Sequence, residues 1–176
     1  MSQPAPSPAV ARAERLAAYV REDPDNAALL ADACDAAMAA GLHALASQQM
    51  DAADALGLDR VGWTWRRARQ CIAQRRLEEA ASLLQQLRAT QGEDPGIVHD
   101  LAYVRLLQGS PDAVRDLLAP WLAAASAPPM DADTREALQL LWLRATHRLL
   151  LLDEAWQWTQ ERLVDARLEP AACGAA

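Results

Sequence analysis

The 176-residue chain contains no lysine and no phenylalanine, and it has only seven glycines and ten prolines. Without lysine, Schiff-base catalysis and the lysine of a phosphate-binding loop are excluded. Its three cysteines, Cys34, Cys71 and Cys173, show neither metal-ligand spacing nor a C-x-x-C pair. Cys34 and Cys71 read as buried free thiols acting as small apolar residues, and an odd number of unpaired cysteines suits a reducing cytoplasm. No apolar run approaches the roughly 20 residues that span a bilayer; Leu149 to Leu152 is four long. The opening MSQPAPSP lacks the basic start and apolar stretch of a secretory signal. H-E-x-x-H, G-x-S-x-G and a glycine-rich phosphate loop are missing too, and His43, His99 and His147 stand apart from any nucleophile at catalytic spacing. The expectation is a protein that is not an enzyme, with no catalytic residue, cofactor or metal.

What is present is helical material. Hydrophobic residues make up 52% of the chain, mostly alanine and leucine, which favours helices packed closely through small side chains. The net charge is −7 with a pI near 4.9, so nucleic acid is not expected as a general partner. The charge is uneven. Residues 60–91 hold seven arginines and two acids, whereas residues 1–59 hold nine acids and three arginines. This basic belt is either a solvated face or a contact for an anion or acidic peptide.

A spacing of 34 residues organises the middle of the sequence. Gly41, Arg75 and Gly109 keep it, as do Ala46, Ala80 and Val114, then Met50, Leu84 and Leu118, then Ala53, Leu87 and Trp121. A turn position, a small residue and two apolar residues recurring together predict stacked helix-turn-helix units, none able to bury its apolar face alone.

Along the chain, residues 1–7 are Pro- and Ser-rich and are expected to be disordered. A capping helix is predicted over 8–22, followed by units at 27–60, 61–94 and 95–128. A displaced fourth unit at 131–168 has Asp131 or Asp133 as its helix cap. Its Asp153-Glu154-Ala155 lies 41 rather than 34 residues after Val114. The whole of 8–170 is predicted as one domain, with 171–176 a loose tail.

These residues resemble the tetratricopeptide repeat over about 27–168. Ala46, Ala80, Val114 and Ala155 match the small residue where paired helices cross, and Gly41 and Gly109 match the turn glycine; Arg75 and Leu150 stand at the other two turns. Arg67 falls in a slot that the family fills with leucine, while Val61, Trp65, Ala68 and Ile72 form an apolar stripe that would turn Arg67 to solvent. The resemblance implies an all-α, right-handed α-solenoid of antiparallel helix pairs whose first helices line a concave groove. Carried onto this chain, the groove positions are Asp32, Asp35 and Met38; Trp65, Arg66, Arg69 and Ile72; His99, Asp100, Tyr103 and Leu106; and Leu141, Arg144 and His147. Arg66 and Arg69 share one helical face. With Tyr103 and Trp65 they would grip a carboxylate or an apolar anchor, or else pair with Asp32, Asp35 or Asp100; Trp65 fits core and groove equally. The lysine and asparagine of the family's two-carboxylate clamp are absent.

The C-terminal hairpin crowds Leu138, Leu140, Leu141, Trp142, Leu143 and Leu149 to Leu152 before Trp156 and Trp158. One helical stripe cannot bury them all. Either the hairpin wraps tightly on the preceding unit, or Trp142, Trp156 and Trp158 form a patch for a partner or a homodimer. The expected function is a cytoplasmic scaffold that binds a peptide or protein segment in its groove. The size, acidity and repeat number also resemble, in organisation, class II chaperones of bacterial type III secretion. A third alternative is an assembly subunit that oligomerises through the tryptophan-rich hairpin.

Overall fold

The structure, a computed structural model, describes residues 7–123 and 129–168, with side chains given through residue 161. Residues 1–6, 124–128 and 169–176 lie outside the described residues, and with them fall most of the expected disordered start and the loose tail. Among the described residues all regular structure is helical. In order the helices are α1 (Pro8–Glu22), α2 (Ala27–Ala39), α3 (His43–Ala55), α4 (Arg60–Ala73), α5 (Leu77–Gln91), α6 (Pro95–Leu107), α7 (Pro111–Leu122), α8 (Ala132–Arg148) and α9 (Leu152–Leu168). None is long and apolar enough to cross a membrane. The contacts group them into two compact units, Met1–Gly92 and Glu93–Ala176, where the sequence pattern had run on as one domain.

Two different devices start these helices. α1, α2, α4, α6 and α8 begin behind a side-chain cap: Ser7, Asn26, Asp59, Asp94 and Asp131 each accept a backbone amide hydrogen from the first turn. The amides of Gly62 and Val61 hold the Asp59 carboxyl below its usual range, and the Thr134 amide and hydroxyl do the same at Asp131. Asp131, not Asp133, is therefore the cap of α8.

α3, α5 and α9 instead emerge from a tight turn that closes the helix before them. At Gly41 the amide donates to the Met38 carbonyl and the next amide, of Leu42, to Ala37. The same pair of bonds recurs at Gly57, Arg75, Gly109 and Leu150. This turn requires a left-handed backbone, which glycine adopts freely. Arg75 and Leu150 adopt it without that freedom, at φ 62° and 59°. The turn before α7, at Gly109, follows the same rule. Connections this short make the joined helices antiparallel neighbours.

In the first unit α1 packs on α2, α2 on α3, α3 on α4 and α4 on α5. Its interior is alanine-rich. Ala13, Ala33, Ala37 and Ala46 are fully buried around Leu30, Cys34 and Met50, so backbones approach closely and little side-chain entropy is lost. α4 turns Trp63, Ala68, Gln70 and Cys71 inward; of the stripe Val61, Trp65, Ala68 and Ile72 only Ala68 is buried, and the other three are half-buried. Arg67 is half-buried rather than turned fully to solvent. Its guanidinium reaches the Met50 carbonyl at 3.2 Å and the Asp54 and Asp51 carboxylates. Gln70 is buried and satisfied, donating to the His43 carbonyl at 2.8 Å and to Ser47 Oγ at 2.9 Å.

In the second unit α6 packs on α7 and on α8, α7 on α8, and α8 on α9. The core joins Val98, Ala102, Leu106, Val114, Leu118 and Trp121 to Leu138, Leu141 and Ala145. All twelve residues of the 34-residue spacing are described, and the nine apolar ones (Ala46, Ala80, Val114, Met50, Leu84, Leu118, Ala53, Leu87 and Trp121) are buried. Full burial of a residue such as Leu84 contributes about 2 kcal/mol. Those nine recurrent positions are therefore packing positions.

Candidate functional site

The basic belt of α4 comes first. Arg66 Nε and Nη2 donate to Asp35 Oδ1 and Oδ2, both at 2.9 Å, and its guanidinium lies 5.0 Å from the centre of the Trp63 ring. Asp35 also raises the guanidinium's affinity for its proton, chiefly through those hydrogen bonds. Asp35, Gly62, Trp65, Arg66 and Arg69 line a small hollow of about 210 Å³. Trp65 is half-buried and Arg69 exposed, and both are engaged with neighbouring groups. Asp32 is exposed and adds to the negative field at Arg66. Met38 packs against the core, and Ile72 is half-buried.

Tyr103, grouped with Arg66 and Arg69 from the sequence, belongs to the second unit and contributes to another feature there. α6, α8 and α9 enclose an open cleft of about 790 Å³. α6 supplies Tyr103, Leu106 and Leu107. α8 supplies Leu143, Arg144, His147 and Arg148, and α9 supplies Leu152, Ala155, Trp156 and Thr159. The walls are mainly apolar, and no carboxylate lines them. Arg148 is anchored by a 2.5 Å bond from Nη1 to the Leu106 carbonyl. Arg144 and His147 are exposed and make no ion pair among the described residues.

Five residues expected at binding surfaces therefore meet here: Tyr103, Leu106, Arg144 and His147 from the groove set, and Trp156 from the hairpin set. Others do not. Leu141 is buried in the core. His99 is bonded to its neighbour Asp100, Nδ1 to Oδ1 at 3.1 Å, and both lie outside the cleft. The tryptophan patch divides. Trp142 and Trp158 pack on each other with ring centres 5.4 Å apart. Arg115 lies over Trp142 at 5.5 Å while also pairing with Glu154, which ties α7, α8 and α9 together. Trp156 alone of the three faces solvent, at 67% exposure, beside the exposed Leu150, Leu151 and Leu152.

Leu107, Arg148 and Thr159 are absent from the residues expected at a site, and Leu143, Leu152 and Ala155 stand out in the sequence only as part of the crowded hairpin or of the repeat. The signal was present in α9, where Leu152, Ala155, Trp156 and Thr159 keep i, i+3, i+4, i+7 spacing and mark one apolar face. Among the described residues no three His, Cys, Asp or Glu are grouped to hold a metal ion.

Comparison with known protein families, curated proteins and solved structures yields no match to this chain.

Proposed function

We propose that this chain is an interaction scaffold, a right-handed α-solenoid of tetratricopeptide-like hairpins, and that it binds a segment of another protein in the α6–α8–α9 cleft without chemical turnover. The recurrent left-handed turns at Gly41, Arg75 and Gly109, with buried apolar residues at matching offsets, support the repeat. The observation that carries the function is the cleft. It is preformed, apolar and about 790 Å³, and a concave site of that size and lining suits a ligand that inserts several apolar groups. A rigid helical wall also loses little entropy when it is filled.

The exposed Leu150, Leu151 and Leu152 favour a second reading, self-association through the end of the second unit. A peptide library displayed on phage and selected on the protein separates the two. Convergent sequences that lose about tenfold affinity for an Ala155→Trp variant, which fills the cleft, support the first reading. Absence of convergence, or equal binding to that variant, removes it. Reversible dimers on a dilution series would turn the assignment to self-association.

A further inference from the structure

Resting on that reading, we infer that the occupant is an amphipathic α-helix with acidic flanks, docked between α6, α8 and α9. Two independent observations point this way. The first is charge. Arg144, His147 and Arg148 stand along one helix edge of the cleft, and none of its lining residues is acidic. This occurs in a chain whose net charge is −7, so the cleft departs from the sign of the molecule. Arg144 and His147 are exposed and unpaired among the described residues. They thus stay available to a carboxylate, unlike Arg66, which Asp35 already occupies. Glutamate or aspartate beside the apolar face of an incoming segment supplies the complement, steering its approach and fixing its direction.

The second observation is the nature of the walls. They are side chains of three helices, with Leu106, Leu107, Leu143, Leu152 and Trp156 dominant, and no strand edge is present among the described residues. An extended segment entering such a cleft would desolvate amide and carbonyl groups that find no partner, at a cost of about 1 to 3 kcal/mol for each. A helix brings its backbone bonds already made and offers anchors at i, i+3 or i+4 and i+7. The exposed faces of Trp156 and Leu152, at 67% and 53%, are then covered as a further packed helix would cover them.

The test uses the full chain and three synthetic peptides of about 18 residues, five helical turns. One has leucines on one face flanked by glutamates. The second carries lysines in place of the glutamates, and the third keeps the glutamates but has two prolines in mid-sequence. Binding is followed by anisotropy of a dye on the peptide. The glutamate-flanked helix is expected to bind at least about tenfold more tightly than either other peptide. An Arg144→Glu, His147→Glu variant, shown to be folded by circular dichroism, should reverse the preference towards the lysine-flanked peptide. Equal binding of the proline-containing peptide overturns the helical occupant. Equal or tighter binding of the lysine-flanked peptide overturns the acidic one, and no binding of any peptide overturns both. Cleft-dependent sequences from the phage selection that are neither acidic nor helical would leave the scaffold function standing and sink this inference alone.

Discussion

Arg66 clasps Asp35 through two parallel hydrogen bonds of equal length, joining α4 to α2. The fork geometry makes the pair stronger than a single contact, but the Asp35 side chain is half exposed, so water screens it. We expect a coupling of about 1 kcal/mol in a double-mutant cycle. Asp35→Arg and Arg66→Asp should each lower the urea midpoint, and the double exchange should recover part of the loss. Strictly additive effects would show that the two side chains merely lie close. Arg66→Ala should leave binding of the glutamate-flanked helix unchanged, because Arg66 does not line the cleft.

The left-handed turns at Arg75 and Leu150 carry a penalty that Gly41 and Gly109 do not. A side chain at such a φ costs about 1 to 2 kcal/mol. Glycine relieves it but loosens the unfolded chain by about 0.4 to 1 kcal/mol. Arg75→Gly and Leu150→Gly should therefore each stabilise their own unit by up to about 1 kcal/mol. Arg75→Pro, which can neither adopt the angle nor donate to the Ile72 carbonyl, should instead be strongly destabilising. Chemical unfolding followed by circular dichroism measures both, and a destabilised glycine variant would contradict the strain.

Ala80 and Ala155 occupy matching offsets in the sequence but not in space. Ala80 is fully buried in the α4–α5 hairpin, whereas Ala155 is half-buried and borders the cleft. Ala80→Leu should cost about 1 to 3 kcal/mol through overpacking, and Ala80→Arg should unfold the first unit because a charge cannot be accommodated there. Ala155→Leu should cost under about 0.5 kcal/mol while narrowing the cleft. Similar losses at both sites would mean that α9 packs as tightly as α5.

The contrast marks how far the sequence could be read. The sequence pattern located α1 and the turns at Gly41, Arg75, Gly109 and Leu150, because periodic burial and left-handed turns are local constraints. It also located Leu84, Leu118 and Trp121 in the core. Where two registers competed, local pattern failed. The stripe Val61, Trp65, Ala68 and Ile72 looked apolar, yet α4 buries Trp63, Gln70 and Cys71, because Arg67 can reach Asp54 and Gln70 can reach Ser47 across the interface. Those partners are distant in sequence. The same holds for the site. Tyr103, Arg144 and Trp156 were each singled out, but their meeting in one cleft depends on how α9 lies beside α6, which no spacing records.

Cys34 is fully buried beside α3, its Sγ 3.8 Å from the Ala46 carbonyl. Burial, with a smaller contribution from Asp35, pushes its thiol up to about 11 from an ordinary 9.0. The folded state thus holds the proton more tightly than the unfolded state. The sign follows: this contribution is fully present below pH 9 and is lost as the pH rises from about 9 to 11. In a Cys173→Ser background, wild type should lose stability across that window more steeply than Cys34→Ala. The Cys34 and Cys71 thiols should stay silent to a thiol reagent at pH 7.5 until the first unit unfolds. Prompt reaction of the folded protein would place a thiolate where the packing allows none.

Trp142 and Trp156 lie fourteen positions apart, and their surroundings assign them opposite roles. Trp142 is packed against the core of the second unit, stacked near Trp158 and covered by Arg115. Its truncation removes apolar burial, an aromatic contact and a cation–π contact together, so Trp142→Ala should cost about 3 kcal/mol or more. Trp156 projects into the open cleft at 67% exposure, so Trp156→Ala should change stability by under about 0.5 kcal/mol. It should nonetheless weaken the glutamate-flanked helix by about tenfold or more, since a large aromatic lining a binding surface carries a disproportionate share of affinity. Iodide quenching gives an independent reading. Trp156→Ala should remove much of the accessible tryptophan emission, and adding the helical peptide to wild type should protect the same component. A variant that keeps full affinity, or accessible emission that survives the substitution, would mean that the exposed ring is not where the partner sits.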